Sequence, residues 1–170
     1  MDFILRNDDL GRVPWPAIAT FTLTFWLSGS LIVDFAVMPS LYFTGMMEQS
    51  GFAVAGYTLF WLFNRVEVLC AALVLTAALA TRRDHDTGLE QLPKVILAAL
   101  LLIVALVYTY ALAPEMSGLG LQLNLFESAP KIPTAMNQLH SVYGVLEILK
   151  FTAAGLLLKL FYRQNPLINP

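Results

Sequence analysis

NRVEVLC, residues Asn64–Cys70, stands in the middle of an apolar run that extends from Phe52 to Ala80. A run of that length crosses a bilayer core of ~30 Å, which needs roughly 20 helical residues. Asn64, Arg65 and Glu67 are therefore polar groups at membrane depth. The rest of the chain agrees with that reading. Of its 170 residues 58% are hydrophobic and 13% charged, about half the charge of an ordinary soluble domain. The length fits one domain, residues 1–170.

Three further apolar stretches accompany the first, so the expected spans are 16–38, 52–80, 92–113 and 135–162. The second and fourth exceed the core thickness and should tilt or project beyond it. The first is not read as a cleaved leader: DFAVMPS follows it, without an A-x-A site, and it is longer than a leader's apolar segment. The expected fold class is all-α, an antiparallel four-helix transmembrane bundle. Arg6, Arg12, Arg82, Arg83, Lys94, Lys159 and Arg163 fall on one side, and Lys131 alone on the other. The positive-inside rule then puts both termini on the cytoplasmic side. The expected location is a bacterial inner membrane or its equivalent, with the lipid bilayer as surroundings.

Punctuation between the spans fits this layout. Pro14 and Pro16 suit a helix start, and MPS (Met38–Ser40) ends or kinks the first span. Residues 80–93 read as a short charged hairpin. Residues 113–133 form the longest connection, with an apolar middle at Leu119–Phe126 that is expected to lie on the outer surface.

Charges inside the spans carry the chemistry. Arg65, Glu67, Glu147 and Lys150 all fall near mid-span. Left unpaired, the four would cost roughly 10–14 kcal/mol, comparable to a domain's whole stability. At 100° per residue, His140, Tyr143, Gly144, Glu147 and Lys150 share a sector of about 120°. Asn64 and Glu67 share one face of the second span, with Arg65 roughly 160° round from Glu67. The expected arrangement pairs Glu67 with Lys150, sets Asn64 alongside, and leaves Glu147 or the first helix for Arg65. Asp34 sits at a depth similar to His140. The third span has no charge beyond Lys94 and should be the most lipid-exposed.

At these residues a resemblance emerges. MPSLYFTGMMEQSGFAVAGYTLFWLFNRVE, YTYALAPEM and MNQLHSVYGVLEILK resemble, in turn, the first half, the end of the third span and the fourth span of the transmembrane protein 205-like family and its bacterial relatives. The similarity covers most of Leu31–Leu158. It implies a four-helix membrane protein with Pro39, Pro114 and His140 at family positions, and no particular activity.

Several chemistries find no support. A net charge of −2 without a basic patch gives no nucleic-acid footprint. Cys70 is the only cysteine, so no internal disulfide forms. No nucleophile elbow, HExxH, P-loop or CxxC occurs, and no enzyme is expected. His85 and His140 lie at opposite ends of the bundle, too far apart for bis-histidine haem, and no cofactor is expected. Met38, Met46, Met47, Met116 and Met136 cluster on the outer side near His140. Thioethers select copper(I), though methionine also fills irregular gaps. The network Asp34, Asn64, Arg65, Glu67, His140, Tyr143, Glu147 and Lys150 thus has two readings. The leading one is a non-enzymatic scaffold, a partner of a membrane assembly or a homo-oligomer, held together by the network. The other is a small proton- or cation-coupled carrier, copper included.

Overall fold

Prolines at the starts of the first and third apolar runs place helices where the sequence leads one to look. In the computed structural model, which describes residues 13–46, 49, 51–84, 91–126 and 134–164, α1 (Trp15–Ile32) and α4 (Leu92–Val107) each carry proline within the first two helical positions. There the missing N–H is no loss. α2 (Met38–Phe43) and α5 (Ala113–Phe126) continue these two helices. α3 (Phe52–Asp84) and α6 (Thr134–Tyr162) are unbroken, at 33 and 29 residues. The chain is thus all-helical, with four continuous helices and no strand among the described residues. Arg6, Arg12, Met47, His85 and Lys131 lie outside the described residues.

Two boundaries differ from expectation, for one reason. Pro39 does not end the first helix and Pro114 does not end the third. Each is preceded by a π turn, Val33–Val37 and Tyr108–Leu112. A proline in a helix clashes with the carbonyl four residues back. Here the helix has already widened: Met38 N–H bonds to Val33 O, and Ala113 N–H to Tyr108 O, each five residues back. The extra residue makes room for the ring and the helix goes on. Residues 113–126, expected as a connection, are therefore helical.

Three helices are long and apolar enough to cross a membrane: Trp15–Phe43, Val54–Arg82 and Leu92–Leu119. α6 has the length but is not among these three. The third span is not the most exposed. Of its apolar window 33% is buried, against 28% for the first.

α1 packs on α3 and α6, and α4 closes the other side. The core is rich in alanine: Ala19, Ala71, Ala78, Ala98, Ala105 and Ala154 are all fully or almost fully buried around Leu23, Leu101 and Leu157. Small side chains let helix backbones approach closely, which apolar surroundings alone cannot drive. Gly29 adds to this, since a Cβ there would stand 3.4 Å from the Phe63 ring. At one end Lys94 is buried beneath the Phe161 ring and held by Gln91 at 2.8 Å and by Gln164.

Candidate functional site: a carboxylate cluster beneath an aromatic cavity

Glu67 and Lys150 meet across α3 and α6, Nζ to Oε1 at 2.7 Å, each 1% exposed. Position explains the meeting, since each is near the middle of its helix and on the face turned inward. Lys150 also bonds Glu147, three residues earlier on α6, at 2.7 Å. One ammonium thus bridges two carboxylates. Glu67 Oε1 accepts two more hydrogen bonds from α1, from Trp26 Nε1 at 2.8 Å and Ser30 Oγ at 3.2 Å. Such charge-assisted contacts are what make a buried carboxylate tolerable.

Asp34 joins from the first π turn, its Oδ1 accepting from the Tyr143 hydroxyl at 3.0 Å. Yet Asp34 Oδ2 and Glu147 Oε2, both shut off from solvent, accept no hydrogen bond. Tyr108, from the second π turn, stands beside Glu147 and gives a long 3.4 Å bond to the Tyr143 carbonyl. Its ring stacks 5.1 Å from that of Tyr143. Both π turns thus deliver a residue to the cluster, and π bulges recur at functional sites.

Above the cluster lies a cavity of about 240 Å³. Asp34 and Asn64 line it, together with the rings of Phe60, Tyr108 and Tyr143 and the thioethers of Met38 and Met116. His140 stands at its rim, exposed, with Nδ1 bonded to its own helix at the Met136 carbonyl, 2.9 Å away. Of the methionines read together in the sequence, Met38 and Met116 line this cavity, and Met38 also lines a second cavity with Met46. Among the described residues no group of three or more His, Cys, Asp or Glu side chains is arranged to hold a metal ion.

Arg65 is the residue the sequence reading misplaces. It does not turn to Glu147, whose charge is taken by Lys150. It points away from the cluster, exposed, with its guanidinium 3.7 Å over the Trp61 ring. The charge balance inside is therefore three carboxylates, Asp34, Glu67 and Glu147, against Lys150. Trp26, Ser30 and Tyr108 escaped the sequence reading because they are uncharged. The available signal was spacing: Trp26, Ser30 and Asp34 follow one another at four-residue intervals on one helix.

No family model, no curated protein and no solved structure matches the chain.

Proposed function

We propose that this chain is a four-span, antiparallel membrane carrier that takes up a small organic ammonium ion in exchange for a proton. One observation carries the proposal. Two buried carboxyl oxygens, one on Asp34 and one on Glu147, have no hydrogen-bond donor. A purely structural network satisfies its groups, because a buried unsatisfied oxygen is costly. A proton taken up by Asp34 removes the charge on its bare oxygen, and a cation drawn into the cavity to Asp34 offsets the same charge. The sequence alone favours a scaffold, but that reading leaves these two oxygens without a purpose.

The ligand class follows from the walls. Aromatic faces and one carboxylate suit an ammonium ion with an apolar body, whereas a hard metal ion needs a cage of oxygens. The carrier makes and breaks no covalent bond, so no enzymatic activity is assigned. α6 serves as the fourth span because Glu147 and Lys150 are matched inside it. Antiparallel packing is supported by two contacts between the third and fourth helices or their ends, with Lys94 beside Gln164 and Tyr108 beside Tyr143. We retain kinship with the transmembrane protein 205-like family as part of the proposal, on the sequence resemblance at Pro39, Pro114 and His140.

Two experiments test this. In proteoliposomes holding a pH-sensitive dye, external benzyltrimethylammonium should drive protons outward, while sodium and copper(I) should not. A response equal to that of empty liposomes would return the protein to the scaffold class. For the topology, a cysteine placed at Gly88 should resist impermeant thiol reagents added outside intact cells. Cys70 is buried and should give little background. Labelling of Gly88→Cys from outside would reverse the assigned orientation.

A further inference from the structure

We infer that Arg65 marks a binding site for the phosphodiester of a membrane lipid, in a groove that adjoins the cation cavity at Asn64 and Ala113. Among the described residues no carboxylate lies within ion-pair distance of Arg65; both ion pairs belong to Lys150. An arginine within a membrane span is costly unless its charge is met or can reach the interface. The span runs Val54–Arg82, so Arg65 stands about 16 Å along it at 1.5 Å per residue. Its guanidinium lies back over Trp61, one turn nearer the Phe52 end, the direction helix geometry favours. A snorkelling arginine reaches a headgroup in this way.

The surroundings match a headgroup. A groove of about 190 Å³ is lined by Arg65, Trp61, Tyr57, Thr109, Tyr110 and Pro114. Tyrosine and tryptophan are the residues that settle at the lipid–water boundary, and Tyr57 and Tyr110 are exposed. The flat ring of Trp61 holds the guanidinium plane in place, which leaves its fork of N–H donors free for a phosphate. Arginine meets that group with two parallel hydrogen bonds, which lysine cannot do. Asp34, Glu67 and Glu147 are all committed to the interior cluster, so no acidic group of the cluster competes for the site.

Native mass spectrometry of the detergent-solubilised protein tests the inference with three probes: dioleoylphosphatidylglycerol, dioleoylglycerol and inorganic phosphate. The wild type should retain the phospholipid and neither of the others. Arg65→Gln should weaken that retention by about tenfold or more, as expected for loss of a charge-assisted bidentate contact. Arg65→Lys, which keeps the charge and loses the fork, should fall between. Because Arg65 is exposed, helix content should not change; if Arg65→Gln did not fold, the lysine variant would decide. Equal retention by the variants and the wild type would overturn the site. Equal binding of inorganic phosphate would make it a site for free anions instead. Loss of a dimer in Arg65→Gln, with lipid retention unchanged, would assign the groove to the exposed Glu115 of a second copy. Benzyltrimethylammonium transport plays no part in this readout, so the two proposals fail separately.

Discussion

Replacing Lys150 with methionine is expected to destabilise the protein by about 3–5 kcal/mol, the usual cost of leaving buried charge uncompensated. Lys150 is the sole cation of the cluster, and its Nζ lies 2.7 Å from both Glu67 and Glu147. Without it, Glu67 keeps its bonds from Trp26 and Ser30, but neither of Glu147's oxygens keeps a protein hydrogen-bond donor. Glu67→Gln should be milder, about 1–2 kcal/mol, since a glutamine oxygen still accepts from Trp26 and Lys150 retains Glu147. The bridging geometry also predicts how rescue works. Lys150→Met with Glu67→Gln alone recovers little, because Glu147 stays charged. Adding Glu147→Gln should restore most of the loss. Thermal unfolding in detergent, followed by circular dichroism, reads the wild type and all four variants. A Lys150→Met variant as stable as the wild type would refute the assigned role of the bridge.

Asp34→Asn should leave the fold intact and abolish exchange, lowering benzyltrimethylammonium uptake by about 100-fold or more, as expected when one member of a buried charge contact is lost. The asparagine oxygen can still accept from Tyr143. Its amide, placed where the bare Asp34 oxygen was, carries no charge and mimics the proton-loaded state permanently. Stability should hold or rise slightly, as is common when a strained functional group is removed. In the wild type, the cation and the proton compete for one place. Lowering the pH therefore weakens cation binding, by up to about tenfold per pH unit when one proton leaves for each cation bound. Uptake that persists in Asp34→Asn, or that strengthens as the pH falls, would contradict the exchange.

Mid-span depth and helical face were legible in the sequence, and they were enough to bring Glu67 and Lys150 together. What failed was the assignment of Glu147 or the first helix to Arg65. Arg65 found an aromatic ring, and Glu147 found the lysine one turn away on its own helix. Trp26, Ser30 and Tyr108 complete the cluster through hydrogen bonds, and a neutral donor does not stand out in an apolar run. The π turns were illegible for a different reason. Proline reads as a stop, and the residue that lets the helix pass it is visible only in main-chain bonding. That inserted residue also shifts the phase of everything after it, so a helical wheel drawn through residues 15–43 goes astray at Asp34.

Those two widened turns also settle how the molecule can bend. α3 and α6 have hydrogen-bond ladders without interruption over 33 and 29 residues and behave as stiff struts. The other two helices are jointed, each at a π turn closed by a proline that donates no main-chain bond. Flexing at those joints sacrifices fewer bonds than flexing anywhere else. The segments beyond them, residues 38–43 and 113–126, can swing against the fixed pair, and the cavity lies between. Asp34 and Tyr108 sit in the joints themselves, so any such swing turns the carboxylate and the ring that floor and wall the cavity.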